Sequence, residues 1–197
     1  MSTQELQTVY SSAVSQPASS VLSHFWSPLC AIGSHGATGP NAQICVSVFG
    51  ASIVPERPRL LVVLSNTNFT TGLVAASGTM AITVLGQGQA GLLAPLGLHS
   101  GRDGNKLVGI ANTLTAPGDP AFPAGSAGWM ATEVLSATSL GDSTAFLVAV
   151  RERWDGAAAP LSWQTAKEVV GDEFLRRWAE KSVREQAAAR EAMHWRD

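Results

Sequence analysis

Charge is scarce in this chain, and basic charge is scarcest in its first three-quarters. Only 14% of the 197 residues are Asp, Glu, Lys or Arg, and the formal net charge is −2. Before residue 151 the basic side chains are Arg57, Arg59, Arg102 and Lys106 alone. That argues against a nucleic-acid face, which needs clustered cations against phosphate. Cysteine is nearly missing too: Cys30 and Cys45 make neither a disulfide framework nor a thiolate metal cluster, and read as small core residues on neighbouring strands. The four histidines, His24, His35, His99 and His194, stand apart, without the paired spacing of a zinc-binding helix. No apolar run approaches the roughly 20 residues that cross a bilayer. The opening M-S-T-Q-E-L-Q has no basic stretch ahead of an apolar core. There is no G-x-S-x-G elbow and no conspicuous carboxylate pair, and His99 beside Ser100 is adjacency rather than a base–nucleophile geometry. The expectations are no metal site, no catalytic side chain, no membrane or nucleic-acid partner, and a reduced, cytoplasmic setting.

What is present is apolar and heavily punctuated. Hydrophobic residues make up 45% of the chain, with 19 glycines and 10 prolines, as suits an ordered domain with many turns. Runs rich in Val, Ile, Leu and Thr occupy Pro28–Gly33, Gln43–Gly50, Arg59–Ser65, Thr79–Leu85, Gly128–Ser136 and Ser143–Arg151, each bounded by turn residues. Six short strands predict a small antiparallel barrel or sandwich. Two helical pieces interrupt them, Phe69–Ser77 between Asn68 and Gly78, and Gln87–Leu96. Residues 97–127 form a Gly/Pro-rich excursion of the length that usually makes a lid or a binding loop, or else is disordered. The tail differs in kind. From Thr165 to His194, Val170, Phe174 and Trp178 recur at i+4, flanked by Leu175 and Val183, and predict one long amphipathic helix. Asp172/Arg176, Glu173/Arg177 and Glu180/Arg184 stand at the spacing of helical ion pairs. That helix either packs on its own barrel or reaches across a dimer partner. The organisation is a lead-in over 1–20, a barrel domain over 21–162, and a C-terminal helix over 163–197.

One motif invites a different reading. Gly86-x-Gly88-x-x-Gly91 follows a β-branched run and precedes an apolar stretch, the outline of a dinucleotide fingerprint. That fingerprint needs an acid at the end of a second strand about 20 residues further on. Counting from Gly86 arrives at Lys106, and the nearest acid, Asp103, lies in G-R-D-G, where no strand is expected. The better phosphate candidate is the polar run Ser65-Asn66-Thr67-Asn68-Phe69-Thr70 at a helix N-terminus. Asn41-Ala42-Gln43 and the cations Arg102 or Lys106 would complete it. Turn and capping chemistry alone would account for the same residues.

At these residues the chain resembles the flavin reductase-like, FMN-binding split-barrel family. The resemblance rests on N-A-Q-I-C-V-S-V-F over 41–49, a turn bounded by Pro55 and Pro58, and R-L-L-V-V-L-S-N-T-N-F-T over 59–70. Ser77-Gly78 through Leu85, Gln89–Ala94 and Ser100–Lys106 follow in the family's order, covering roughly residues 20–152. It implies a mainly β fold: a six-stranded antiparallel Greek-key split barrel with short helices, usually a homodimer, with FMN near the dimer interface. Carried over, Asn41, Ala42, Gln43, Ile44, Cys45 and Ser47 would line the isoalloxazine, largely through backbone groups. Ser65, Asn68 and Thr70, with the adjoining Asn66 and Thr67, would hold the ribityl phosphate, and Ser100, Arg102 and Lys106 would close the site. The family's reaction is hydride transfer from NADH or NADPH to the flavin, in which the cofactor does the chemistry. Three departures bear on this: Val46-Ser47 replaces an Asn-Thr, Asn66 replaces a frequent Lys, and Gly141-Asp142-Ser143 replaces a frequent Gly-Asp-His. The last removes an imidazole that can sit beside flavin or nicotinamide. It leaves an FMN-binding electron carrier or partner protein as the alternative to a reductase, with a barrel that has lost flavin as a third reading.

Overall fold

The computed structural model describes residues 28–193. The expected lead-in over 1–20, His24, His194 and Trp195 lie outside the described residues. β1 (Cys30–Gly36) and β2 (Gly39–Cys45) form a hairpin turned by Ala37 and Thr38, with Gly39 at φ 102°, a left-handed conformation that glycine tolerates. After Val46 and Ser47 comes β3 (Val48–Gly50), which pairs with β4 (Arg59–Ser65). α1 (Phe69–Ser77) leads to β5 (Thr79–Val84), then a 3-10 turn over Gln87–Leu92 and α2 (Leu93–Gly97). A small hairpin, β6 (Thr113–Leu114) with β7 (Pro120–Ala121), precedes the long strands β8 (Gly128–Ser139) and β9 (Ser143–Asp155). α3 (Trp163–Val169) and α4 (Gly171–Ala192) follow.

The main sheet is antiparallel throughout, in the order β2-β1-β5-β8-β9-β4-β3. Its two outermost strands are neighbours in sequence. Two residues span only about 10 Å of extended chain, so the sheet must curl until its edges meet. They do meet: the Val63 N–H donates to the Ser47 carbonyl at 2.9 Å, and the Cys45 thiol lies 3.6 Å from the Val63 carbonyl. Register shifts between Ala131 and Thr132 and between Val134 and Ser136 supply the local bending that a curled sheet needs. The result is the expected split barrel with seven strands rather than six. The run Gln43–Gly50 is broken at Val46–Ser47, because one half bonds to β1 and the other to β4.

Alternation along the strands directs Cys30, Ile32, Cys45, Val62, Leu64, Met80, Ile82, Phe146 and Val148 into the barrel, and Val74 of α1 joins them at one end. Cys30 and Cys45 are cross-strand partners, both free and buried. Burial raises both thiols, Cys45 to about 11, so neither is a ready nucleophile. A second core forms on the outer face of β1 and β2, where Leu29, Ala31 and Ala42 meet Leu85, Leu93, Leu96, Phe122, Leu161 and Phe174. Phe122 and Leu107 bring the long excursion into this core, and β6–β7 pack it onto β1. His35 Nδ1 and the buried Asp119 carboxylate, 2.6 Å apart, tie its far end to β1. The excursion is therefore packed against the outer core at Leu107 and over residues 119–122, while much of residues 102–117 stays exposed.

The tail is not one continuous helix. It breaks at Val170–Gly171, where Gly171 takes φ 75°, and α4 restarts in a new direction. Phe174, Val170, Leu175 and Trp178 pack on the outer core, while Val183 is 41% exposed, so the tail's first turns pack on their own barrel. The ion pairing also differs from the expected set. Arg176 bridges Glu173 and Glu180, and Lys181 pairs with Glu185.

The glycine motif resolves into a turn. The Gly86 N–H donates to Gln89 Oε1 at 3.0 Å, and the Gln89 amide donates in turn to the carbonyls of Phe122 and Ala124. A Cβ on Gly86 would come within 2.0 Å of the Gly125 carbonyl oxygen, whereas one on Gly88 or Gly91 meets nothing within 4 Å. Gly86→Ala should therefore lower the unfolding free energy by about 1–3 kcal/mol, the usual cost of overpacking. Gly88→Ala and Gly91→Ala should be neutral or stabilise by about 0.5–1 kcal/mol. Urea denaturation checks this, and equal losses at all three positions would contradict the turn assignment.

Candidate functional site

α1 closes one end of the barrel, and the way it is fixed decides where its N-terminus points. Thr70 Oγ1 donates to Asn41 Oδ1 at 3.0 Å, a bond buried between the helix and β2. Thr71 Oγ1 donates to the Ser65 carbonyl at 2.7 Å, and Ser65 Oγ and Thr67 Oγ1 lie 2.9 Å apart. Asn68 is the N-cap by backbone geometry, yet its side chain caps nothing. The first N–H groups of α1 are thus left without a capping side chain, at the positive end of the helix. At the other end Gly78, at φ 72°, returns its N–H to Val74, the stop read from the sequence.

Above this N-terminus lies a cleft of about 190 Å³, walled by three segments. Gln43, Ile44 and residues 67–70 form the barrel side, Leu96, Gly97, residues 99–102 and Lys106 the loop side, and Trp178, Lys181 and Glu185 the α4 side. Gly101 permits the loop to close down, since a Cβ there would lie 2.3 Å from the Asn41 amide nitrogen and 2.4 Å from the Phe69 ring. Arg102 crosses the mouth: its Nη1 donates to the Thr67 carbonyl at 2.9 Å, and its guanidinium lies 5.8 Å from the Phe69 ring centre. Lys106 Nζ donates to the carbonyls of Leu96 and His99, satisfying acceptors at the end of α2. Burial, and secondarily the neighbouring Lys181, pull Lys106 down to about 8. The cleft therefore collects Arg102, Lys106 and Lys181 against one carboxylate, Glu185.

Of the residues singled out from sequence, the cleft brings together Gln43, Ile44, Thr67, Asn68, Thr70, Ser100, Arg102 and Lys106. The others stand off from it for identifiable reasons. Asn41 is one layer behind, holding Thr70. Ala42 is buried in the outer core, and Cys45 faces the barrel interior. Ser47 sits at the closing bend, bonded to β4. Ser65 supports Thr67 and Thr71 from below. Asn66 turns to the β8–β9 turn, donating to the Gly141 carbonyl at 3.0 Å and accepting from Thr144 Oγ1 at 2.7 Å. Sequence reasoning missed Trp178, Lys181 and Glu185, although their i, i+3, i+7 spacing marks one helix face. Gln43 keeps a buried Oε1 with no hydrogen-bond partner among the described residues. No group of three or more metal-ligating side chains stands together among the described residues. No helix among them is long and apolar enough to cross a membrane.

The fold and this cleft define a split-barrel protein with three cations at the mouth of the cleft, and comparison with known proteins names the family. Residues 22–168 match the model of the flavin reductase like domain, so the chain belongs to that family. A solved FMN-binding protein from Thermus thermophilus is 24% identical, with 71% of this chain and 77% of that chain covered and a TM-score of 0.61. The NADH:FAD oxidoreductase of Streptomyces globisporus is 20% identical over 67% of this chain and 77% of that one, also at a TM-score of 0.61. A flavoredoxin from Methanosarcina acetivorans reaches a TM-score of 0.58 at 14% identity, over 66% of this chain and 69% of its own. No curated protein sequence matches.

The lowered basicity of Lys106 makes a prediction about pH. Its folded value of about 8 lies below the ordinary 10.5, so between these the unfolded chain binds more protons. Stability contributed at this position therefore rises from about pH 8 to about pH 10.5, with the full penalty present below. Urea unfolding of wild type and Lys106→Met from about pH 7 to about pH 10 should show wild type gaining on the variant. A difference independent of pH would mean that Lys106 keeps its ordinary basicity.

Proposed function

We propose that this protein is a flavin-binding oxidoreductase of the flavin reductase type, holding FMN with its phosphate at the α1 N-terminus. The observation that carries this reading is the donor set of the cleft. The first N–H groups of α1, which no side chain caps, the hydroxyls of Thr67 and Ser100, and three cations converge, two of them, Arg102 and Lys106, from a body otherwise poor in basic residues. That chemistry suits a phosphate: the helix end supplies dipole and N–H donors, and Arg102 a planar fork. Ile44, Leu96, Phe69 and Trp178 add an apolar lining. Bound flavin would supply the redox chemistry, accepting a hydride from NADH or NADPH. The chain's own part is to hold the phosphate, orient the ribityl chain along β2 and exclude water with the 98–106 loop.

The cleft, at about 190 Å³, is below the roughly 300 Å³ at which ligand pockets usually begin. We therefore read the isoalloxazine as lying beyond it, toward the Val46–Ser47 bend, with a second copy of the chain completing the site. Phe49, Ile53 and Val54, exposed just past that bend, give such a homodimer an apolar surface to cover. The alternative is an FMN-binding electron carrier or partner protein without nicotinamide turnover. One observation favours it: in the turn beside Asn66, Ser143 stands where an imidazole is frequent, and its hydroxyl is bonded to Asp142 at 2.8 Å.

Adding FMN to the purified protein should shift the flavin absorbance bands, and anaerobic NADH or NADPH should bleach them. A bound flavin that does not bleach selects the carrier reading, and no spectral shift at all overturns both. Arg102→Ala should weaken FMN binding by about 1–3 kcal/mol, the cost of losing a hydrogen bond to a charged group. Unchanged affinity would remove Arg102 from the site.

A further inference from the structure

We propose that α4 carries a phosphate-binding residue, Lys181, and that this helix makes the cleft select flavin nucleotides over unphosphorylated flavin. The proposal rests on the flavin reading above and deepens it. α4 begins at Gly171, beyond the family match, which ends at residue 168. Its contribution to the cleft thus lies outside the matched family domain.

The helix is locked in rotation by an aromatic cluster. The Trp178 ring lies 5.1 Å from that of Trp163 and 5.5 Å from that of Phe174. It is also seated on Gly97, where a Cβ would come within 2.5 Å of it. With Trp178 fixed, Lys181 one turn later falls on the same face. Its side chain is 24% exposed, against 49% for Arg176 and 68% for Glu173 on the outer face. Lys181 is therefore held in the cleft wall, unlike the surface pairs, which contribute little.

Its surroundings point to an anion. Lys181 faces Lys106, itself already fixed on two carbonyls, and the two ammonium groups repel within a partly buried space. Glu185 answers only one of the three cations that line the cleft. A phosphate carries about −1.5 to −2 charge at neutral pH and three acceptor oxygens, enough to bridge both lysines. Glu185 then has a double part: it steadies Lys181 and opposes the incoming anion. A purely structural ion pair would make loss of either partner act in the same direction. An anion site makes them act in opposite directions.

The test uses the full chain and titrates riboflavin, FMN and FAD by flavin fluorescence, with thermal melts to confirm folding of each variant. Wild type should bind FMN at least about tenfold more tightly than riboflavin, as expected for a charge-assisted contact. Lys181→Met should abolish most of that ratio with riboflavin affinity unchanged, Lys181→Arg should keep it, and Glu185→Gln should increase it. Dependence on Lys181 shared by FMN and FAD identifies the phosphate next to the ribityl chain, and dependence confined to FMN identifies a terminal monoester. Both support the proposal. An unchanged ratio in Lys181→Met, or an equal loss for riboflavin, overturns it. Wild type that binds riboflavin as tightly as FMN also overturns it, while leaving the flavin reading intact. Wild type that binds no flavin removes both.

Discussion

Val46 and Ser47 join the two strands that end the sheet on opposite sides, and nearly everything else follows from that short span. A seven-stranded sheet whose edges are two residues apart has no freedom to lie flat. It curls, and its inner face becomes an enclosed apolar interior. A curled sheet has ends that need stopping, and α1 stops one of them by inserting Val74 and fastening Thr70 to Asn41. The stopper's fixed end is the cleft's floor. The geometry that closes the barrel therefore also aims a helix N-terminus at the place where the long loop and α4 arrive.

The polar bonds in this region are few, buried and mutually dependent. Removing one partner of the Thr70–Asn41 bond would strand the other in an apolar setting, at a cost of about 1–3 kcal/mol. A surface ion pair such as Arg151 with Glu133 is worth at most about 1 kcal/mol. The positioning of the site thus depends more on two uncharged side chains than on any exposed salt bridge. Gly101 and Gly97 act in the same sense, by letting the loop and α4 approach where a methyl group would not fit. Close approach, rather than charge, sets the cleft's dimensions.

Local signals were legible in the sequence. Runs rich in Val, Ile, Leu and Thr between turn residues gave the strands, Asn68 and Gly78 bounded α1, and the run Ser65–Thr70 marked the helix end that now floors the cleft. What such runs cannot encode is which strand a residue pairs with. The break at Val46–Ser47 carries no proline or glycine, because it is imposed by pairing on two different strands and not by turn chemistry. The kink at Gly171 was readable in principle, as a glycine inside a helical pattern, but the apolar period runs through it unbroken. Placing Trp178 and Lys181 in the site requires knowing the direction in which α4 leaves that kink. No property of the segment itself supplies it.

The two phosphate-like motifs differ in what their first donors meet. At Gly86–Gly91 the glycines have the spacing, but the Gly86 N–H is already taken by Gln89, whose own amide is spent on the neighbouring loop. The Gln87 N–H is likewise spent on the Ala159 carbonyl, and Gly86 is needed because another backbone passes over it. At Asn68 the cap residue withholds its side chain, the Thr71 N–H turns back to the Asn68 carbonyl, and Arg102, Lys106 and Lys181 gather beside the helix end. Lys106 joins the structural and functional halves of this arrangement. Its bonds to the Leu96 and His99 carbonyls fold the loop, and the same ammonium stands in the wall of the cleft. Folding the loop is therefore what delivers the charge, and an anion bound there would stabilise the loop that built its own site.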